Sequence, residues 1–105
     1  MSEHEQPDWR QLAGELRVNG NPFIGGGYLD SAGDATATTI NPVDGTPGLT
    51  FTESDAEHVA AAVVSGREAF ESGWRDCGPA ERKRLLLALA DAVIANRQQL
   101  ALCDC

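Results

Sequence analysis

The hydrophobic and polar positions divide the chain into a short helix, a strand-rich stretch and a helical second half. Asp8 can cap a helix from Trp9 to Leu16, and apolar side chains of that helix share one face. Asn19-Gly20-Asn21-Pro22 then predicts a break, because these residue types favour turns. Residues 1–21 are therefore predicted to form a leader helix and a linker.

Residues 22–52 carry the strand signals. Phe23-Ile24 and Tyr28-Leu29 predict strand on either side of Gly25-Gly26-Gly27. We interpret these glycines as a hairpin bend rather than a phosphate loop, because no nucleotide-binding glycine motif is matched. Turn-forming residues follow from Asp30 to Asp34, and the β-branched run from Thr36 to Ile40 predicts the next strand.

A tight reversal and a further strand complete this β-hairpin segment. Asn41-Pro42-Val43-Asp44-Gly45 predicts the reversal, with Asp-Gly supplying the left-handed backbone. Leu49-Thr50-Phe51 predicts the strand. Pro47 cannot donate a main-chain hydrogen bond, so we expect this strand at a sheet edge or after a bulge.

The second half predicts a pair of helices over residues 53–105. Ser54-Asp55-Ala56-Glu57 matches a capping box with Ser54 as the N-cap, and Gly73 is predicted to end the first helix. The second helix is predicted from Pro79, a favoured first position, with Glu81 in its first turn. Its apolar stripe consists of Leu85, Leu86, Leu89, Val93 and Leu100.

The second helix is apolar on two sides. Leu87 and Ile94 lie roughly 100–200° away from the main stripe. One side can pack on the first helix, whereas the other needs a surface that 105 residues are not expected to supply. This pattern predicts part of a larger domain.

The composition is that of one small globular domain with an acidic first half. The chain has a net charge of −8 from 16 acidic and 8 basic residues, which argues against nucleic acid and anionic membranes as partners. The longest apolar run, Leu85 to Ala90, is too short to span a bilayer. Three cysteines and an acidic amino terminus without a signal-peptide pattern lead us to expect a cytoplasmic location.

The residues alone assemble no catalytic constellation. Cys77, Cys103 and Cys105 lack the spacing of a zinc or dithiol redox site. Neither His4 nor His58 lies near Cys77 in sequence, and His58 is interpreted as a solvated surface residue. Arg82-Lys83-Arg84 is interpreted as a solvated helix face in preference to a phosphate contact. Aromatic residues are expected to anchor a core or an interface, namely Trp9, Phe51, Phe70 and Trp74.

Five segments, in order, resemble the aldehyde dehydrogenase family over residues 22–102. Phe23 to Ser31 is similar to the family's opening strand, although Gly25 and Gly27 stand where the family usually has Asn and Glu. Thr39 to Gly45 resembles its Asn-Pro reversal. Three helical segments are also similar: Val59 to Phe70, Trp74-Arg75 with Pro79 to Leu86, and Leu89-Ala90-Asp91. The leader, together with Pro79 to Arg84, is most similar to enzymes acting on aminoaldehydes such as γ-glutamyl-aminobutyraldehyde.

The resemblance implies an α+β fragment with a short N-terminal helix, a β-hairpin layer and two helices. This fragment would be an incomplete part of the family's α/β cofactor-binding domain. The whole enzyme it implies is a homo-oligomer that oxidises an aldehyde to a carboxylate with NAD or NADP, by cysteine attack and hydride transfer to the nicotinamide.

The family's catalytic and dinucleotide motifs have no matching positions in these 105 residues. The chain alone is therefore expected to hold no catalytic or cofactor-binding residue and to be inactive. Thr39 and Ile40 do match positions that supply oxygens to a monovalent cation in many members. Two oxygens are too few for a hard cation, so occupancy in this chain alone is not expected.

Three hypotheses describe the chain as a whole. It is the N-terminal fragment of an aldehyde dehydrogenase, a small acidic interaction module without enzymatic activity, or one chain of a split enzyme. In the first and third cases its partner is the remainder of the enzyme or a complementary chain. A coding sequence that continues in frame through the catalytic motifs would support the first hypothesis, and an adjacent separate frame would support the third.

Overall fold

The computed structural model describes residues 5–30 and 34–105, so His4 and most of the turn predicted at residues 30–34 lie outside the described part. The chain divides into two compact units. One comprises residues 5–17 and Ala80–Cys105, and holds α1 (Trp9–Glu15), α3 (Pro79–Ala95, apart from its first residue) and α4 (Arg97–Asp104). The other is Val18–Pro79, which holds β1 (Phe23–Ile24), β2 (Gly27–Tyr28), β3 (Thr36–Ile40), β4 (Pro47–Thr52), α2 (Ala56–Ala69) and a π-helical turn, Phe70–Trp74. The predicted α+β class is confirmed.

Helix α1 begins where the sequence predicts. The Asp8 carboxylate accepts hydrogen bonds from the main-chain N–H groups of Arg10 and Gln11, at 3.2 and 3.1 Å. These bonds satisfy donors that the first turn of a helix leaves unpaired. The helix ends at Glu15, because Leu16 adopts extended backbone with ψ 128°.

The long second helix of the prediction is two helices. Asn96 breaks it with φ −109° and ψ 17°, outside the helical region, and its side-chain Nδ2 donates to the Ala92 carbonyl at 2.8 Å. An Asn side chain that bonds to the backbone in this way competes with helix continuation. Helices α3 and α4 are consequently bent by 71°. Among residues 5–30 and 34–105, no single helix is long and apolar enough to cross a membrane, and α3 with α4 meets that requirement only as a bent pair.

Strands β1 and β2 form a hairpin with a two-residue loop. Gly25 and Gly26 both have positive φ, 65° and 84°, which is the requirement of a type I′ turn. Phe23 pairs with Tyr28 across the strands, and their rings meet edge to face with centroids 5.1 Å apart. The predicted hairpin bend is therefore confirmed.

Replacing Gly25 by Asn is expected to stabilise this hairpin by about 0.5 kcal/mol, because Asn tolerates left-handed backbone and restricts the unfolded chain. The new Cβ would meet only Ser65 Oγ, at an ordinary 3.7 Å. The upfield ring-current shifts of the Phe23 and Tyr28 protons measure hairpin population and should increase. A Gly26→Ala control should decrease them, and a decrease in Gly25→Asn as well would contradict the prediction.

Strands β3 and β4 form a second, separate two-stranded sheet. Thr38 lies opposite Thr50, and their hydroxyl oxygens are 3.0 Å apart. The register shifts by one residue between Thr38 and Ile40, so that Ile40 pairs with Pro47. Because the sheet has two strands, β4 is also an edge, and both forms of the expectation for this strand are met. The strand starts at Pro47, two residues earlier than predicted.

Helix α2 differs from the prediction at both ends. Its N-cap is Asp55 rather than Ser54. The residue at position N3, which completes the capping box, is His58 rather than Glu57. The helix does not stop at Gly73, because the π-helical turn carries the chain to Trp74 and the Arg75 N–H donates to the Phe70 carbonyl at 2.9 Å. Gly73 has no left-handed backbone, so it supplies no glycine cap.

The hydrophobic side chains of the described residues remain accessible to solvent. None of them is buried, and the four predicted aromatic anchors are 38–43% exposed. Helix α3 shows the same property along its length, with Leu86 and Leu89 about as exposed, at 59% and 61%, as Ile94 at 58%. The described residues therefore form secondary structure without a closed hydrophobic core.

Candidate functional site

Thr39 and Ile40, the residues matched to a cation site, lie on β3 where the register shifts opposite the bulged residues of β4. The Thr39 hydroxyl accepts a hydrogen bond from the Leu49 N–H at 2.8 Å and donates to the Leu49 carbonyl at 3.4 Å. A Cβ on Gly48 would come within 2.5 Å of this hydroxyl oxygen, so glycine makes room for it. The Thr39 hydroxyl thus replaces regular ladder hydrogen bonds at the bulge.

The oxygens that this position can offer a cation are main-chain carbonyls. The Thr39 hydroxyl is engaged with Leu49, and Pro47, the register partner of Ile40, has no N–H to donate to the Ile40 carbonyl. The Ile40 side chain is 69% exposed. Within residues 5–30 and 34–105, no group of three or more His, Cys, Asp and Glu side chains could hold a metal ion.

Replacing Thr39 by Val is expected to weaken the pairing of β3 with β4 at the bulge. Val keeps the shape but removes the hydroxyl, so the Leu49 N–H loses its acceptor at a cost of about 1 kcal/mol. The protection factor of the Leu49 amide against hydrogen exchange should fall about fivefold, which corresponds to that free energy. Thr36→Val is the matched control on the same strand, and equal losses in the two variants would contradict this assignment.

His58 is less solvated than the sequence interpretation stated. Its side chain is 17% exposed, and its two ring nitrogens face different carboxylates. Nδ1 lies 3.4 Å from Asp55 Oδ1, and Nε2 lies 3.8 Å from Asp34 Oδ2. The Asp55 N–H also donates to His58 Nδ1 at 3.2 Å, while the His58 N–H donates to Asp55 Oδ1 at 2.8 Å.

These contacts set the charge around the start of α2. The hydrogen bond from the His58 main-chain N–H is the largest cause that holds the pKa of Asp55 below its ordinary value, and the nearby imidazole adds to it. Asp55 is therefore a carboxylate throughout the neutral and mildly acidic range. The signal missed in the sequence was an Asp at the N-cap with a His three residues later, which can form the same reciprocal box as Ser and Glu.

The cysteines are free thiols. Cys77 is partly buried and its N–H donates to the Trp74 carbonyl at 3.2 Å, whereas Cys103 and Cys105 are exposed near the end of α4. The two ring nitrogens of His58 face the carboxylates of Asp34 and Asp55, and these contacts support no role for His58 as the base of a cysteine nucleophile.

The basic run at the start of α3 is largely exposed, as the sequence interpretation states, because Lys83 and Arg84 are accessible to solvent. Arg84 forms two hydrogen bonds with the Glu81 carboxylate, at 2.6 and 2.9 Å, and this contact lowers the pKa of Glu81. Arg82 is partly buried. The Arg84 guanidinium is thus already bound to Glu81, which makes it less available to a phosphate.

The glycine cluster does not fit a nicotinamide dinucleotide. Gly25 and Gly26 form the hairpin turn, and strand β2 follows them directly. A dinucleotide cradle instead needs a glycine loop that opens the N-terminus of a helix, where N–H groups face the pyrophosphate.

Comparison with known proteins gives the same family as the sequence segments. Residues 28–105 match the model of the aldehyde dehydrogenase family. Aminoacetaldehyde dehydrogenase of Pseudomonas aeruginosa is 38% identical over 92% of this chain and 20% of its own length. The NADP/NAD-dependent aldehyde dehydrogenase PuuC of Escherichia coli is 31% identical over 99% of this chain and 21% of its own length.

A third relative bears a different name. Human cytosolic 10-formyltetrahydrofolate dehydrogenase is 36% identical over 82% of this chain and 10% of its own length. No solved structure matches. The chain thus spans about a fifth or less of the length of these relatives. Because the family match covers most of the chain, from the end of β2 through α4, the chain belongs to the aldehyde dehydrogenase family.

Proposed function

We propose that this chain is the N-terminal part of an NAD(P)-dependent aldehyde dehydrogenase that oxidises an aldehyde to a carboxylate. The observation that carries the proposal is the family match over residues 28–105. Its alignment with relatives over 92–99% of its own length supports it further. The name of the Escherichia coli relative supports NAD or NADP as the cofactor of the whole enzyme.

The contribution of these residues to that enzyme is structural. Residues 22–52 supply the two hairpins and residues 53–105 supply the helices, after the leader at 1–21. Because Gly25 and Gly26 build a hairpin turn rather than a dinucleotide cradle, the proposal places the cofactor on sequence outside this chain, and the aldehyde with it. Its partner is that remaining sequence, in the same chain or in a complementary one, within a homo-oligomer. Three free thiols support a reducing, cytoplasmic setting.

We propose an aminoaldehyde as the substrate. The leader and the start of α3 resemble enzymes of that class, and the Pseudomonas aeruginosa relative is named for aminoacetaldehyde. The enzyme encoded by the complete open reading frame that contains this chain should therefore form NAD(P)H with a higher kcat/KM for 3-aminopropanal than for propanal. Equal or reversed efficiencies would overturn the substrate class and leave aldehyde oxidation intact.

A segment exchange tests the function itself. The matching segment of the Pseudomonas aeruginosa relative is replaced by this chain, and NADH formation from aminoacetaldehyde is measured at saturating cofactor. We expect the exchanged enzyme to keep activity within about tenfold of the parent, a loss of about 1.4 kcal/mol in transition-state stabilisation. The parent with the segment deleted should be inactive, and so should the 105-residue chain alone. An exchanged enzyme that folds but matches the deleted one would favour the interaction module.

The same exchange tests the cation assignment. We propose that the Thr39 and Ile40 carbonyls supply two ligands of a monovalent cation site completed by sequence outside this chain. The melting temperature of the exchanged enzyme should then be higher in potassium or sodium chloride than in tetramethylammonium chloride at equal ionic strength. Identical melting temperatures in all three salts would contradict the assignment.

A further inference from the structure

His58 joins two segments that are distant in sequence. It lies in the first turn of α2, while Asp34 precedes β3. The main chain already connects these segments, because the Glu53 N–H donates to the Ala35 carbonyl at 2.8 Å. The imidazole lies beside this connection, with Asp55 on the Nδ1 side and Asp34 on the Nε2 side.

The capping box requires neutral His58. Nδ1 can accept from the Asp55 N–H only while it carries no proton, which places the ring proton on Nε2, on the side of Asp34. When the ring is protonated, both nitrogens are donors. The Asp55 N–H then loses its acceptor, and the Nδ1 proton faces Asp55 Oδ1 at 3.4 Å.

Once His58 is protonated, the surrounding charges favour the arrangement in which both ring N–H groups face carboxylates. Asp34 faces it from the segment before β3, and Asp55 faces it from the N-cap of α2. Glu53 and Glu57 flank the N-cap in sequence and add negative charge. With the His58 side chain 17% exposed, these pairs are screened less than pairs in open solvent.

We propose that His58 is a pH-sensitive link between the start of α2 and the segment leading into β3. It acts as a capping acceptor when neutral and as a bridge between Asp34 and Asp55 when protonated. Histidine is the side chain that ordinarily changes charge between about pH 5 and 8. Acidification therefore releases the Asp55 N–H and tightens the contact between the two segments.

Amide hydrogen exchange of the 105-residue chain tests this link at two positions. Protection factors, corrected for the intrinsic pH dependence of exchange, are measured at about pH 8 and about pH 5.5. On acidification the protection factor of the Asp55 amide should fall about fivefold, which is the effect expected from the loss of one hydrogen bond. The Glu53 amide, which donates to Ala35, should gain protection about threefold as the bridge forms.

Three variants separate the parts of the link. His58→Gln keeps a neutral capping acceptor at every pH, so both responses should disappear. Asp34→Asn should abolish the gain at Glu53 and keep the loss at Asp55. His4→Gln is the matched control and should change neither response. The proposal is overturned if the unmodified chain shows no response to pH, if its Asp55 amide is unprotected at the higher pH, if His58→Gln keeps either response, or if Asp34→Asn keeps the gain at Glu53.

Discussion

Replacing Gly20 by Ala should separate the linker from strand β4. A Cβ at this position would collide with the Thr50 carbonyl oxygen and lie 2.8 Å from Phe51 Cα. Both are backbone atoms, so no side-chain rotation can relieve the clash. The Gly20 carbonyl accepts from the Thr52 N–H at 2.8 Å, and this hydrogen bond should break as the backbone moves. We expect a cost of about 1–3 kcal/mol, typical of forcing an added carbon into a filled space.

The protection of the Thr52 amide against hydrogen exchange measures this effect, and it should fall about tenfold or more. Gly27→Ala is the matched control in the same unit, because a Cβ there meets nothing within 4 Å and its φ is not positive. Thr52 should stay protected in the control. If Gly20→Ala keeps the protection of Thr52, the close approach of the linker to β4 is wrong.

The elements that the sequence predicted correctly are those specified by short-range signals. Asp8 caps α1, Pro79 begins α3, and the β-branched residues from Thr36 form β3 within the predicted bounds. In each case the residue that decides the structure lies within one turn or one strand of its effect. Gly25 and Gly26 belong to the same class, because a two-residue loop needs positive φ at both positions.

The errors occurred where two local choices were nearly equal. Ser54 and Asp55 are adjacent and both good N-caps, and the hydrogen bonds with His58 decide in favour of Asp55. Asn96 is tolerated within a helix, but its side chain bonds to the Ala92 carbonyl and the helix breaks. Gly73 is a common helix terminator, yet the π-helical turn continues through it.

Little of the candidate site could be predicted from the residues alone. Thr39 and Ile40 were identified only through the family resemblance. The contact of the Thr39 hydroxyl with Leu49, ten residues along the chain, depends on a bulge that shifts the register by one residue. The approach of His58 to Asp34 likewise spans a hairpin and a helix start. Periodicity contains no information on such contacts, because it describes which face a residue occupies and not which distant residue meets it.

The solvent-exposed leucines of α3 predict the second large effect. Leu87 and Ile94, the two residues off the main stripe, are 55% and 58% exposed. Burying such a side chain fully is worth about 1.5–3 kcal/mol, so this pair, a little over half exposed, forgoes about 2–3 kcal/mol. Exposed apolar patches of this kind promote association between molecules. The 105-residue chain is therefore expected to bind a hydrophobic dye and to self-associate.

Replacing Leu87 and Ile94 together by Gln should reduce dye fluorescence severalfold and shift the chain toward its monomeric mass in sedimentation velocity. The matched control replaces Lys83 and Asp91, two exposed polar residues of the same helix, by Gln, and should change neither reading. In the enzyme with the exchanged segment, the Leu87 and Ile94 substitutions should instead lower the melting temperature. There the remainder of the enzyme is proposed to supply a surface that buries both side chains. A monomeric unmodified chain that melts sharply and binds no dye would show that α3 needs no further surface, and this result would favour the small interaction module over the enzyme fragment.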